Sequence, residues 1–107
     1  MIARIWHGRV PADRADAYYE YLLRTGVADY RAAPGNRGVS VFCRRDGPVV
    51  HFLLTSFWDS LASLHAFAGP DIDRPRYYAE DGDYLLDFEP TVTHYDVLSS
   101  PDHDRVA

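Results

Sequence analysis

Residues 49–58 read Val49-Val50-His51-Phe52-Leu53-Leu54-Thr55-Ser56-Phe57-Trp58. This run is rich in β-branched and aromatic side chains and lies between the turn signal Asp46-Gly47-Pro48 and the helix-capping pair Asp59-Ser60, so it reads as a strand. Successive side chains of a strand point to opposite faces. One face is therefore Phe52, Leu54, Ser56 and Trp58, and the other is His51, Leu53, Thr55 and Phe57. Both faces are apolar enough to be buried. A strand achieves this when helices cover one side and more protein covers the other.

Working outward, Gly38 to Arg45 forms a second strand with Val39, Val41 and Cys43 on one face, joined to residues 49–58 through a hairpin at Asp46-Gly47-Pro48. Ala32-Ala33-Pro34-Gly35-Asn36 is a turn. Before it, Ala15, Tyr18, Tyr21 and Leu22 recur at helical spacing, with Asp13 as the expected N-cap and Gly26 as a cap or kink ahead of Val27 and Tyr30. Ile2 to Val10 is the first strand, ended by Pro11. Beyond residue 58, Asp59 or Ser60 caps a short helix carrying Leu61, Leu64, His65 and Ala68, and Gly69-Pro70 stops it. Pro75 limits regular helix in residues 71–90, where Asp83 to Phe88 has the pattern for one or two helical turns. Thr91 to Leu98 alternates as a last strand.

The expected organisation is one domain over residues 1–98, followed by a flexible C-terminal tail over 99–107. The order β-α-β-β-α-β is that of an α+β, ferredoxin-like domain, with helices on one face of a four-stranded antiparallel sheet. The other face is also apolar or aromatic here. Soluble monomers rarely expose such a patch, and two sheets packed face to face as a homodimer would cover it.

The composition narrows the function classes. Aromatic residues make up 14% of the 107, including eight Tyr and two Trp, a load suited either to filling a small core or to lining a pocket. The formal charge of −5 argues against a nucleic-acid partner. Residues 1–70 carry eight Arg and six acids, whereas residues 71–107 carry three Arg and ten acids. All the basic residues are Arg, which excludes lysine Schiff-base chemistry and phosphate loops that need a Lys. The single Cys43 cannot form an internal disulfide, the N-terminal MIARIWHGRV has no signal-peptide apolar run, and no stretch is apolar enough to span a bilayer. A cytoplasmic location with no membrane partner is expected.

Several stretches together resemble the antibiotic-biosynthesis monooxygenase superfamily of dimeric α/β barrels. These are Ile2-Ala3-Arg4-Ile5-Trp6-His7-Gly8, the helix opening near Asp13, Pro34-Gly35, and Ser56-Phe57-Trp58-Asp59-Ser60-Leu61. The resemblance covers roughly residues 2–98 and is closest to small bacterial members without an assigned substrate. It implies a homodimer with one pocket per subunit between sheet and helices. Some relatives oxidise anthrone-like aromatic polyketides without metal or flavin, so the resemblance implies a cofactor-independent monooxygenase acting on a small aromatic or polyketide-like substrate, with no cofactor. The alternative is a non-catalytic dimeric protein that binds or senses a small molecule. Haem degradation ranks below both. Relatives that degrade haem use an Asn on the first strand, a Trp ending the third and a His on the next helix. Trp58 keeps the Trp, Trp6 replaces the Asn, and the His position falls at Ala68-Gly69-Pro70, with His65 about one turn too early.

A cofactor-independent oxygenase needs a base near neutral pKa, donors for a developing oxyanion and a dry aromatic pocket. His94 and His7 are the candidate bases. Arg4, Trp6, Trp58, Tyr77 and Tyr78 are the candidate substrate-binding residues. If Trp6 and Trp58 face the pocket, Arg4 does too, either as an anion clamp or in a salt bridge to a C-terminal acid, and His7 and His51 face the partner. The acids Asp71, Asp73, Glu80, Asp81, Asp83, Asp87 and Glu89 lack metal-loop spacing and read as a solvated surface, so no metal is expected.

Overall fold

Strand β3 (Val49–Trp58) sits inside a four-stranded antiparallel sheet of order β2-β3-β1-β4, with β1 at Ile2–Pro11, β2 at Asn36–Asp46 and β4 at Thr93–Asp96. This computed structural model describes residues 1–101 and the backbone of residues 103 and 104. The strand order and the two crossovers make it the ferredoxin-like α+β fold expected from the element order. A short pair, β5 (Ser99–Ser100) with β6 (His103–Asp104), follows. Asp102 and residues 105–107, part of the expected tail, lie outside the described residues.

Helices α1 (Ala15–Arg24), α2 (Gly26–Ala32) and α3 (Leu61–Ala68) follow in chain order. Tyr18, Tyr21 and Leu22 of α1 and Val27 and Tyr30 of α2 are buried against Trp6, Phe52, Leu54 and Trp58 of the sheet. The helices therefore cover the face of even-numbered β1 and β3 residues.

Three local expectations are corrected. Asp13 does not cap α1. It lies within a single 3-10 turn at Ala12–Arg14, and α1 begins without a side-chain cap. Gly26 is not the cap: the helices break at Thr25, and Gly26 opens α2, where a side chain would press on Leu54 at 3.3 Å. The helical turns expected at Asp83–Phe88 reduce to a 3-10 turn at Asp81–Asp83. The rest of that segment runs along β1 instead, because β4 pairs only with Ile2–Ile5 and leaves the strand's edge open. Leu86 N donates to Arg9 O at 2.9 Å, and Val92 N donates to Asp73 O at 2.8 Å. Residues 72–92 thus form a strap around the β1 edge.

Of the two α3 caps considered, Ser60 is the one used: its Oγ accepts from Ser63 N at 3.1 Å. Gly69 ends that helix with φ +87°, a conformation glycine adopts without steric cost. Among the described residues, no helix is long and apolar enough to cross a membrane.

Candidate functional site

The strand register decides which side of the sheet each candidate serves. Arg4 pairs with Ser56 on one side and His94 on the other, and Trp6 pairs with Leu54. All of these share the helix-covered face. His7 pairs with Leu53 and belongs to the open face. The two candidate bases, His94 and His7, therefore lie on opposite sides of the sheet.

Arg4 is 1% exposed. The salt bridge to an acid considered from the sequence is absent among the described residues. Its guanidinium instead donates to Ile72 O and, at 2.9 Å, to Arg74 O, tying the strap down. It also stands 3.2 Å from His94 Nε2, while His94 Nδ1 lies 3.2 Å from Asp73 Oδ1. A guanidinium only donates, so His94 accepts at Nε2 and presents its N–H to Asp73. Burial, reinforced by the Arg4 charge and opposed by Asp73, holds the His94 pKa below its ordinary value. Both ring nitrogens of this neutral imidazole are engaged.

Trp6 is buried because glycine stands two residues on. A Cβ at Gly8 would fall 2.3 Å from the Trp6 ring, so only glycine lets the indole lie across the strand. The Trp6 Nε1 has no hydrogen-bond partner among the described residues. Its ring meets Tyr18 at 6.4 Å and Tyr77 edge-on at 6.4 Å. Tyr77 donates from its hydroxyl to Glu89 O at 2.7 Å.

Between these rings and the helices is a cavity of about 20 Å³ lined by Trp6, Tyr18, Leu22, Gly26, Tyr30, Leu54, Arg76, Tyr78 and Asp81. That is room for about one water. Burial pushes the phenols of Tyr18, Tyr30 and Tyr78 upward, so all three are neutral hydrogen-bonding groups at pH 7. Asp81 is 4% exposed, and burial raises its pKa against a hydrogen bond from Tyr78 N that lowers it.

Arg76 forms the outer wall. It donates to Phe67 O at 2.9 Å, covers the Phe67 ring at 4.3 Å and lies 3.8 Å from Asp29, which also accepts from the Tyr78 hydroxyl. Beyond Arg76 is an open groove of about 340 Å³ between α2 and α3.

Of the sequence candidates, Trp6 and Tyr78 line the cavity and Tyr77 backs Trp6. Arg4 and His94 meet one another but lie off the cavity. Trp58 is fully buried, donating to Ser56 Oγ at 3.0 Å and packing on Tyr30 and Phe67. His65 is exposed, with its ring 3.1 Å from the carbonyl of Gly69 at the end of its own helix.

Tyr18, Tyr30, Arg76 and Asp81 are the cavity groups that the sequence reading did not single out. The helical spacing of Tyr18 and Tyr30 marked them as core, and nothing in a run of seven acids distinguishes the one that turns inward. That acidic run is not simply a solvated surface. Besides the buried Asp81, Asp73 meets His94, Asp87 meets Arg9 at 3.3 Å and Glu89 meets His7.

On the open face, His7 Nδ1 contacts Glu89, His7 Nε2 lies 2.8 Å from His51 Nδ1, and His51 Nε2 is 3.4 Å from Asp46. A hydrogen bond between the rings takes one N–H and one lone pair, so the tautomer of one ring sets that of the other. Leu53 and Phe42 lie beside the pair in register, and Ile5, Phe57 and Tyr95 lie further along the same face, with Phe42 and Tyr95 each 56% exposed. No group of three or more His, Cys, Asp or Glu among the described residues is placed to hold a metal.

Residues 1–71 match the family model for antibiotic biosynthesis monooxygenase. No curated protein matches the chain. Among solved structures, a "putative antibiotic biosynthesis monooxygenase" from Nitrosomonas europaea is similar at TM-score 0.64 and 19% identity, covering 92% of this chain and 100% of that one. Rv0793 from Mycobacterium tuberculosis is similar at TM-score 0.54 and 20% identity, covering 94% and 99%. The heme-degrader MhuD from the same organism, solved with two hemes in its active site, is similar at TM-score 0.60 and 18% identity, covering 94% and 98%. At these identities the structural likeness establishes the shared fold.

Proposed function

The chain belongs to the antibiotic biosynthesis monooxygenase family, and from that premise we propose that it binds a small aromatic molecule between sheet and helices and oxygenates it without a metal or organic cofactor. The observation that carries this reading is the cavity walled by Trp6, Tyr18, Tyr30 and Tyr78, with the carboxyl of Asp81 as its one acidic group. In such a reaction the substrate supplies the electrons. A base removes an activated proton, the anion reacts with dioxygen, and a CH₂ group becomes C=O as the second oxygen atom leaves as water. The protein supplies a dry site and hydrogen bonds to the developing charge. Oxygen uptake with a panel of anthrones and quinols tests this. Turnover above the protein-free rate is expected, and no uptake across the panel would overturn the catalytic part.

A binding role without chemistry is favoured by a separate observation. His94 and His7, the two candidate bases, lie off the cavity with their ring nitrogens already engaged. Haem is a poorer fit, because α3 ends at Ala68 with no histidine at that position, and His65, one turn earlier, is exposed and turned to the Gly69 carbonyl.

The functional unit in this proposal is a homodimer. Members of the family are generally small, dimeric and ligand-binding. The open sheet face carries Phe42, Leu53 and Tyr95 exposed around a hydrogen-bonded histidine pair, and a second copy would cover it.

A further inference from the structure

Resting on the reading of the open sheet face as a homodimer interface, we propose that the His7–His51 pair is a proton-binding site within it. The two rings take up one proton per protomer as two copies dock, so the dimer tightens as pH falls from 8 to 6.

The proton follows from counting hydrogens. Four groups stand in a row. His7 Nδ1 meets Glu89, His7 Nε2 lies 2.8 Å from His51 Nδ1, and His51 Nε2 lies 3.4 Å from Asp46 Oδ2. A carboxylate only accepts, so both outer ring nitrogens carry hydrogen when all contacts are made. Two neutral rings would then turn lone pairs toward each other across the gap between them. The row is complete only when the rings hold three N–H groups, one more than two neutral imidazoles supply. A fourth would set N–H against N–H across that gap, so uptake stops at one.

The surrounding charge calls for the same number. Arg9 of β1 and Arg44 of β2 flank His51 in register. Arg9 lies 3.3 Å from Asp87 of the strap, and Arg44 lies 3.9 Å from Asp46. Three carboxylates, Asp46, Asp87 and Glu89, therefore share the cluster with two guanidiniums. One negative charge is left over, and one proton on the pair cancels it.

In a single copy the need is slight. The His7 and His51 side chains are 31% and 19% exposed and that of Asp46 is 63% exposed, so water reaches the contact that lacks a hydrogen. Phe42 and Leu53 line the same groove as both rings. A second sheet laid over them excludes that water, and an uncompensated charge beneath it is costly. The proton is thus held more tightly in the dimer than in the monomer, which links uptake to assembly.

The test is sedimentation equilibrium at pH 6 and pH 8. For the unmodified protein the dimer dissociation constant is expected to be larger at pH 8 by about tenfold or more. In Asp46→Asn, an exposed change that removes the surplus charge and offers His51 an amide donor, the difference is expected to shrink below about threefold. The same loss is expected in His7→Gln/His51→Gln, which has no ring to protonate. Equal dissociation constants for the unmodified protein would overturn the proposal, as would a pH dependence that survives these substitutions. A monomer at both pH values would overturn the homodimer reading itself, and this inference with it. Asp46→Asn decides the matter even if the double substitution costs the fold.

Discussion

Arg4 holds its buried position through two main-chain carbonyls, Ile72 O and Arg74 O, where the sequence reading had weighed an acid. Replacing it by Met keeps the volume but leaves those carbonyls unpaired, so Arg4→Met is expected to cost about 3 kcal/mol in urea denaturation. The same change removes a positive charge beside His94, so the His94 pKa is expected to rise in an NMR titration. The sign for stability follows from the lowered folded value. Below the ordinary histidine range the unfolded chain binds the proton more readily, so stability falls as pH drops from about 6.5 through the folded value. His94→Gln is expected to flatten that part of the melting-temperature profile between pH 7 and 5. Asp81 has the opposite sense. Its folded pKa is raised, so the cost of its buried charge is absent at low pH and grows as pH rises past the ordinary carboxylate range. Asp81→Asn is expected to gain roughly 1 kcal/mol at pH 7, about 5 °C in melting temperature for a domain this size, and to lose that gain near pH 3. No sequence pattern marked Asp81, because burial of one acid among seven depends on how the strap turns.

At the level of elements, the strands were legible because alternation and β-branched content report a two-sided environment directly. The parity that put Trp6 and Trp58 on one face and His7 and His51 on the other holds along the full β1–β3 register. The strap was not legible. Its conformation comes from hydrogen bonds to the uncovered edge of β1 rather than from any periodicity of its own. The β2–α3 junction shows a local signal and a distant constraint acting together. Gly35 has φ +86°, and a Cβ there would fall 2.2 Å from Ser63 Oγ, on the helix that Ser60 caps. Its carbonyl accepts from Asp59 N at 2.9 Å. Turn composition flagged the glycine; the close approach of α3 was visible only in the structure. Gly35→Ala is expected to destabilise the fold by about 2 kcal/mol through strain and overpacking, with a lowered urea midpoint and an unchanged m-value.

For the whole molecule, the sheet's open face is where self-association is expected. A charge placed at an exposed apolar position of that face opposes apolar burial there without touching the core under the helices. Phe42→Asp is therefore expected to leave the circular dichroism spectrum unchanged and to shift sedimentation equilibrium from dimer to monomer. A stable monomer of the unmodified protein at micromolar concentration would remove the basis for that expectation. The sequence carried the fold almost entirely, since both faces of 49–58 demanded cover. It carried the cavity only in part, because Trp6 and Tyr78 advertise themselves while Asp81, Tyr30 and Arg76 acquire their roles from how the strap and the helices come together. The alternation along β1 also bears on how such a protein can diversify. Arg4, Trp6 and Gly8 answer to the interior, and Ile5, His7 and Arg9 answer to the open face. On the proposed reading, substitution at Trp6 acts on the cavity and substitution at His7 acts on the face a second copy would cover. One ten-residue strand thus faces two environments, the core under the helices and the open face of the sheet.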